Sequence, residues 1–415
     1  MILLSHPTAN QNVRQTALAL ADADLLGEFW TCVNWRQGSV LDRSLGTMSR
    51  IRNELRRRSF PEKLAPYLHT YSWREWGRQL AGQAGWKSLT REEHGLFSVD
   101  AIYSSLDRRV ARRLTQAANF RAVYAYDAGA LETFREAKRR GYKCIYEHPI
   151  IYWRKVRELQ REEAELHPEW APTLGALADS DEKLARKDEE LSLADLVITA
   201  SSFSRDSLAA APSLHAPVRV IPYGTDSLGE KAPPNEYKTK LRVLFVGSLT
   251  QAKGLGYLLE AVAQLKGEIE LTLIGRRVSD SIPSPALLST YRWIPSLPHG
   301  ELLAEMSRHD VLVLPSLHEG FGLVMSEAMS QGLVVITTPN TAGPDLLTDG
   351  VNGFLVPIRS AEAIEEKLAL LTRERDRLIA MQQAARDRTA AATWENYRQG
   401  IVRVAREVME KGETA

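Results

Sequence analysis

The chain has 415 residues, which is enough for two domains of about 200 residues each. Its 53 basic residues nearly balance its 52 acidic ones, so the overall charge does not favour nucleic acid as a partner. No run of about 18 apolar residues indicates a membrane span, and the strand-like start at Met1 is expected to leave no room for a signal peptide. Cys32 and Cys144 lie in apolar runs and are expected to be buried thiols, which suits a cytoplasmic location.

The first half of the chain alternates short apolar runs with helical patterns, which is typical of a parallel sheet with helices on both faces. The apolar runs predict strands at Ile2–Ser5, Phe29–Val33, Ala101–Ser104, Ala122–Asp127, Lys143–Glu147, Leu196–Ala200 and Val218–Pro222. A polar stretch that contains Pro233 and Pro234 then predicts a linker over residues 227–240.

The alternating pattern resumes after this linker. It predicts further strands at Arg242–Gly247, Glu270–Ile274, Val311–Leu314, Val334–Thr338 and Phe354–Val356. The helix after the first of them carries Leu255, Leu258, Leu259, Val262 and Leu265 on one face. We therefore predict an α/β chain with a Rossmann-like domain over residues 1–226, a second one over 241–390, and a final helix within 391–415.

The densest chemical pattern runs from His318 to Met329. Glu319 and Glu327 stand on either side of a Gly-Phe-Gly turn, between the strand predicted at Val311–Leu314 and an Ala/Met-rich helix. Backbone amides at a helix N-terminus attract phosphate oxygens. A carboxylate one turn into such a helix can accept hydrogen bonds from ribose hydroxyls. The pattern therefore favours a nucleoside diphosphate that is attached to a further group.

These residues resemble the signature of the family 4 retaining glycosyltransferases, which have the GT-B fold of two Rossmann-like domains facing a cleft. The resemblance continues in order along the second half of the chain, through Val246–Leu249 with Lys253-Gly254, Leu273–Arg276 and Gly350–Val356. It implies transfer of a hexosyl group from a nucleoside diphosphate sugar to a glycan, lipid-linked or small-molecule acceptor, with the donor's anomeric configuration retained. In relatives the final helix crosses back to the first domain, whereas an ordinary capping helix is the other interpretation here.

The resemblance also implies roles for single residues. Glu319 would contact the transferred sugar or stabilise positive charge at the anomeric carbon, although an acid at a helix start is also favoured by the helix dipole. Lys253 and the turn amides would neutralise the diphosphate, and Glu327 would bind the ribose. The implied donor-binding set is Gly247, Ser248, Lys253, Arg276, Leu297, Gly320, Phe321, Gly322, Leu323 and Glu327.

One member of this set departs from the family. Ser248 stands where arginine is often found, so Arg276 or an arginine of the first domain is the candidate for the second positive charge. Leu297 matches the place where the family holds the base through backbone groups, so its side chain does not reveal the base.

In the first domain, His148 follows a predicted strand and by resemblance lies near the sugar or acceptor. With Glu319 and Lys253 it completes the catalytic candidates, although a histidine hydrogen-bonded at a strand end is the alternative. The acceptor-side candidates are Asp127, Glu147 and Asn10. Asn10 is also a candidate cap for the following helix.

No metal and no cofactor are expected beyond the donor substrate. Asp22-Ala23-Asp24 and Asp179-Ser180-Asp181 look like metal-binding pairs, but neither follows a strand that faces the cleft, so they are interpreted as solvated acids. Residues 50–143 contain 20 Lys or Arg against 10 Asp or Glu, together with Trp73 and Trp76. This surface would suit peripheral contact with an anionic membrane, or else it is a solvated face.

Two other functions compete with sugar transfer. One is an epimerase-like GT-B enzyme that acts on the sugar nucleotide itself, and the other is a protein that binds the nucleotide sugar without turnover. Glu319, Glu327 and Lys253 favour transfer over both alternatives, while Ser248 leaves some room for binding without turnover.

Overall fold

The computed structural model describes residues 1–35, 58–116, 119–212, 214–225, 240–265, 267–278 and 283–410. The linker predicted at 227–240 lies outside this part of the chain except for its last residue. So do Arg50, Arg52, Arg56 and Arg57 of the predicted basic surface.

The first domain is built on parallel strands. They are β1 (Ile2–Ser5), β2 (Leu26–Thr31), β3 (Leu68–Thr70), β4 (Ala122–Tyr126), β5 (Lys143–Glu147), β6 (Leu196–Thr199) and β7 (Val218–Val220). Within the described residues they form one sheet in the order β3-β2-β1-β4-β5-β6-β7. Its helices are α1 (Gln11–Asp22), α2 (Trp73–Gln83), α3 (Lys87–Thr90), α4 (Val99–Gln116), α5 (Leu131–Arg139), α6 (Trp153–Leu166), α7 (Asp181–Leu193) and α8 (Ser202–Ser207).

The second domain repeats this plan. Its strands are β8 (Leu241–Val246), β9 (Ile269–Ile274), β10 (Arg292–Ile294), β11 (Val311–Leu314), β12 (Val334–Thr337) and β13 (Gly353–Leu355). The described residues place them in the order β10-β9-β8-β11-β12-β13, again parallel. The helices are α9 (Leu255–Gln264), α10 (Pro285–Leu288), α11 (His299–Met306), α12 (Leu323–Ser330), α13 (Gly343–Leu346), α14 (Ala361–Arg373), α15 (Arg375–Ala390) and α16 (Trp394–Glu410).

One predicted strand is wrong. Residues 101–104 lie within helix α4, where Ile102, Leu106, Val110 and Leu114 are buried at helical spacing. Ser98 accepts a hydrogen bond from the amide of Ala101 at 3.0 Å, as a capping residue does. A short apolar run without its longer context could not distinguish the two structures.

The last helix packs on the first. The hydroxyl of Tyr397, on α16, lies 2.8 Å from the hydroxyl of Thr16 on α1, and both residues are buried. Tyr223, which precedes the second domain in sequence, packs against Tyr397, Trp394 and Phe321. An aromatic cluster therefore joins the end of the chain to both domains.

The order of strands in each sheet indicates where a binding crevice opens. The order in which the chain adds strands to the sheet reverses between β1 and β4 in the first sheet, and between β8 and β11 in the second. Loops that leave neighbouring strands toward opposite faces open a crevice at the carboxyl ends of those strands. Among the described residues, none of the helices combines the length and the apolar character that crossing a bilayer requires.

Candidate active site

The candidate site lies at the reversal point of the second sheet. Lys253 ends the loop that follows β8, and Glu319 lies on the loop that follows the adjacent strand β11. The ammonium group of Lys253 and the carboxylate of Glu319 form an ion pair, and both side chains are only partly exposed. Two residues that are 66 positions apart in sequence therefore meet at one point of the crevice.

Close packing of the two loops explains why this pair can form. Gly254 has a φ of +68°, and a Cβ atom added to it would lie 2.0 Å from the carbonyl oxygen of Pro315. Only glycine allows such an approach in the left-handed region without strain. The contact between Gly254 and Pro315 places Lys253 beside the loop that carries Glu319.

The Gly-Phe-Gly turn presents its backbone while its side chain is anchored elsewhere. Phe321 is buried against Tyr223, with ring centroids 5.2 Å apart. Gly322, at a φ of +80°, is the N-cap of α12. Within the described residues, the amides of Gly320, Phe321 and Gly322 donate to no other protein group. Together with the helix N-terminus they form a patch of positive partial charge.

The other predicted donor-binding residues surround this patch at neighbouring strand ends. Gly247 and Gly275 follow β8 and β9, and a Cβ atom on Gly275 would lie 1.7 Å from the carbonyl oxygen of Gly247. Ser248 and Arg276 are exposed on these two loops. Leu297 is half-buried after β10. The donor-binding roles of these residues stay predictions.

Glu327 lies one turn into α12, and its carboxylate is 3.0 Å from Nε2 of His299 on α11. His299 could not be predicted from the sequence, because a histidine at the start of a short helix carries no distinctive pattern. The contact holds Glu327 at the rim of the site.

The first domain reaches the same turn from across the cleft. A Cβ atom on Gly320 would lie 2.0 Å from the carbonyl oxygen of Pro149, the residue after His148. The hydroxyls of Ser201 and Ser204 donate to the carbonyl oxygen of Gly320 at 2.6 and 2.9 Å. The structure therefore brings the His148 segment and the Glu319 segment together.

His148 is buried next to an anionic partner. Its Nδ1 lies 3.3 Å from Oδ1 of Asp127, and both of its ring nitrogens are buried without a hydrogen bond among the described residues. Burial alone would raise the pKa of Asp127, but Lys187, 3.4 Å away, and His148 outweigh burial and hold that pKa well below its ordinary value. The hydroxyl of Tyr146 also lies 3.0 Å from Asp127. Asp127 is therefore the anionic neighbour of His148 in a cluster of buried polar groups.

Two acceptor-side candidates lie elsewhere. Glu147 is 1% exposed, and its carboxylate accepts hydrogen bonds from the hydroxyls of Tyr124 and Tyr223 and from the amide of Asn12, at 2.6 to 3.1 Å. It lies on the face of the strand opposite to Tyr146 and anchors the packing below α16, so the structure does not place it toward an acceptor. Burial raises its pKa. Asn10 is exposed at the N-cap position of α1, but its side chain accepts from Thr8 instead of capping the helix.

Neither Asp-x-Asp sequence lies on the loops that carry Lys253 and Glu319. Asp22 ends α1, whereas Asp181 begins α7 and is almost fully exposed. Across the residues that the structure describes, no group of three or more His, Cys, Asp or Glu side chains is arranged to hold a metal ion.

The chain matches known proteins mainly through its second half. Residues 228–388 match the family model described as "Glycosyl transferases group 1". The amylovoran biosynthesis glycosyltransferase AmsK of Erwinia amylovora is 31% identical over 160 residues, which are 35% of this chain and 39% of that protein. The phosphatidyl-myo-inositol mannosyltransferase of Mycobacterium leprae is 29% identical over 258 residues, 60% of this chain and 63% of that protein. The chain thus spans less than two thirds of the length of each.

Solved structures match over nearly the whole chain. Sucrose-phosphate synthase from Thermosynechococcus elongatus superposes with a TM-score of 0.69 at 18% identity, covering 99% of both chains. HepE from Anabaena, solved with UDP and glucose, gives a TM-score of 0.61 at 15% identity, covering 97% of this chain and 98% of that one. At such identities the likeness concerns the fold, and it confirms the predicted GT-B architecture.

Proposed function

We propose that the chain is a retaining hexosyltransferase of the family 4 kind, since residues 228–388 match the model of the group 1 glycosyltransferases. It would move a hexosyl group from a nucleoside diphosphate sugar to a glycan, lipid-linked or small-molecule acceptor. The observation that carries this proposal is the Lys253–Glu319 pair. It lies where the strand order of the second sheet reverses, beside backbone amides that donate to no protein group within the described residues. UDP-hexoses are the first donors to try, since HepE was solved with UDP and glucose.

The leaving group of this reaction is a nucleoside diphosphate, whose negative charge grows as the bond to the sugar breaks. Lys253 supplies a full positive charge, and the amides from Gly320 to Gly322 supply oriented partial charges that need no rearrangement. Neutralising the diphosphate in this way does not require a metal ion. Metal independence is therefore part of the proposal.

The sugar would lie between Glu319 and His148, because the segments that carry them meet at Gly320. The acceptor hydroxyl attacks the anomeric carbon from the side on which the diphosphate leaves. A bond forms between the acceptor oxygen and the anomeric carbon, the bond from that carbon to the diphosphate oxygen breaks, and the hydroxyl proton passes to the departing diphosphate. The product then keeps the donor's anomeric configuration.

Different acids should carry different parts of this function. Glu319→Gln should lower kcat roughly 10- to 1000-fold, because the carboxylate acts on the reacting sugar. Glu327→Gln should raise the dissociation constant of the nucleoside diphosphate about tenfold, because it loses charged hydrogen bonds to the ribose. Steady-state kinetics and calorimetry separate the two effects, with Glu362→Gln on α14 as a control on an exposed acid. A Glu327→Gln variant with unchanged nucleotide affinity would reassign the ribose site.

Transfer should continue in excess EDTA, because Lys253 and the amides already neutralise the diphosphate. The measurement is the rate of nucleoside diphosphate release before and after treatment with the chelator. Complete loss of activity that Mg²⁺ or Mn²⁺ restores would contradict metal independence and direct attention back to Asp179 and Asp181.

The product should keep the anomeric configuration of the donor. Proton NMR of the product, recorded within the first turnovers, reports this configuration through the coupling constant of the anomeric proton. An inverted signal would exclude membership of the retaining enzymes. Release of the nucleoside diphosphate only when an acceptor is present would distinguish transfer from epimerisation and from binding without turnover.

We further propose that the first domain rests on an anionic membrane. Helix α2 and the segment after it carry four large apolar side chains that are about half exposed or more, namely Trp73, Leu80, Trp86 and Leu96. Arg74 stacks over the ring of Trp73 at 4.5 Å, so positive charge and aromatic surface lie together. Such a combination suits the boundary between acidic headgroups and acyl chains.

Vesicle sedimentation tests this contact. The wild type should bind phosphatidylcholine vesicles that contain phosphatidylglycerol, and the double variant Trp73→Ser/Trp86→Ser should bind them at least about tenfold more weakly. Ile379→Ser removes an equally exposed apolar side chain from α15 and should leave binding unchanged. Equal sedimentation of all three proteins would mean that the basic surface is simply solvated.

A further inference from the structure

Two buried polar residues of the first domain contact the loops that carry Lys253 and Glu319. Gln160 and Glu163 lie one helical turn apart on α6, and they are 4% and 0% exposed as residues. Both point across the cleft into the second domain. The transfer mechanism above uses neither of them.

Glu163 is tied to the loop that ends in Lys253. Its Oε1 accepts hydrogen bonds from the side-chain nitrogen (Nε2) of Gln251 and the hydroxyl of Tyr257, both at 2.7 Å, and its Oε2 accepts from Nε of Arg359 at 2.8 Å. Gln251 begins the single 3-10 turn of which Lys253 is the last residue. The side-chain oxygen of Gln251 in turn accepts from the amide of Gly256 at 3.0 Å. A buried carboxylate with three partners therefore fixes this turn from the other domain.

Arg359 shows how firmly this contact is made. It is a non-glycine residue with a φ of +63°, a conformation that costs about 1 kcal/mol or more. Besides the bond to Glu163, its guanidinium donates to Glu162 at 2.9 Å and to the carbonyl oxygen of Leu159 at 3.0 Å. These contacts with α6 offset the cost of the strained backbone.

Gln160 is tied to the loop that carries Glu319. Its side-chain oxygen accepts from the amide of Ala176 at 3.0 Å, which leaves its nitrogen to donate to Nε2 of His318, also at 3.0 Å. His318 must then be neutral, and burial together with Lys253 lowers its pKa to about 4. Glu319 thus stands between His318, held by Gln160, and Gly320, whose carbonyl is held by two serines of the first domain.

We propose that Gln160 and Glu163 are positioning residues, through which docking of the first domain on the second sets Glu319 and Lys253 in place. This inference rests on the proposed function, because it concerns the geometry of that site. Groups that are displaced by about 1 Å can lose on the order of 100-fold in rate, even when the change lies away from the reacting atoms. The catalytic pair is then complete only when the two domains are docked.

The two residues should act on different parts of the reaction. Gln160→Met removes the donor to His318 on the sugar side, so kcat should fall about 10- to 100-fold while affinity for the nucleoside diphosphate stays within about twofold. Glu163→Gln loosens the turn that holds Lys253, so affinity for the nucleoside diphosphate should itself fall about 5- to 20-fold. Calorimetry with UDP, GDP and ADP, continued with the one that binds most tightly, gives the affinities. The wild type and Glu165→Gln, an exposed acid on the same helix, are the matched controls.

A double-mutant cycle separates positioning from general loss of structure. If Gln160 acts through Glu319, the variant Gln160→Met/Glu319→Gln should be about as slow as Glu319→Gln alone, whereas independent effects would multiply. Rates are normalised to folded protein from thermal unfolding. Multiplying effects, or variants with wild-type kcat and nucleotide affinity, would overturn the positioning roles.

The nucleotide affinities do not depend on turnover, so they test Glu163 separately from the proposed function. A wild type that binds a nucleoside diphosphate but turns over no donor would overturn transfer, and with it the kinetic role of Gln160. A fall in affinity of Glu163→Gln in that same protein would still support its hold on the Lys253 turn. Unchanged affinity would overturn it.

Discussion

The reversal of strand order between β8 and β11 is the constraint on which the candidate site depends. Because the helices that follow these neighbouring strands pack on opposite faces, their first loops separate at the carboxyl ends and leave a crevice. Lys253 and Glu319 occupy the two sides of this crevice and neutralise each other. The first sheet has the same reversal between β1 and β4, and the adjacent strand β5 leads to His148. Two similar sheets thus supply unlike chemistry from opposite sides.

The contact between the domains near this crevice combines hydrogen bonds with the aromatic packing of Phe321 on Tyr223. Ser201 and Ser204 bind a carbonyl oxygen, while Glu163 and Gln160 bind side chains of the second domain. Hydrogen bonds lost on separation are replaced by bonds to water, so their net cost is small, although each needs a defined geometry when formed. Hydrogen bonds with such defined geometry favour one docked arrangement of the two domains.

The sequence allowed the fold and the motif positions to be predicted, because both depend on local patterns. Strands such as Val311–Leu314 are continuous apolar runs, and Gly322 marks a turn that needs a positive φ. The three-residue edge strands Leu68–Thr70 and Arg292–Ile294 were missed because they are short and partly exposed. Glu147 shows the limit of strand-end arguments, since neighbouring residues of a strand face opposite sides and only packing decides which side is the core.

The contacts of Gln160 and Glu163 with the second domain could not have been predicted from the sequence, for a different reason. Gln160 and Glu163 lie in a helix rich in charged residues, where a solvated face is the ordinary interpretation. These two residues differ from the rest of the helix because the second domain covers them. The sequence pattern of the helix itself does not indicate this. Gln251 and His318 lie inside the recognised motifs, yet their partners are 88 and 158 residues away in the chain.

The Lys253–Glu319 pair also bears on how donor binding and catalysis could be linked. In the chain without substrate, Glu319 is the counter-ion of Lys253. Under the proposed function, the diphosphate would take over Lys253 and leave Glu319 without its partner in a partly buried place. Positive charge then develops at the anomeric carbon only as the transition state is reached. A carboxylate released in this way stabilises the transition state more than the bound donor, which is the kind of interaction that raises kcat.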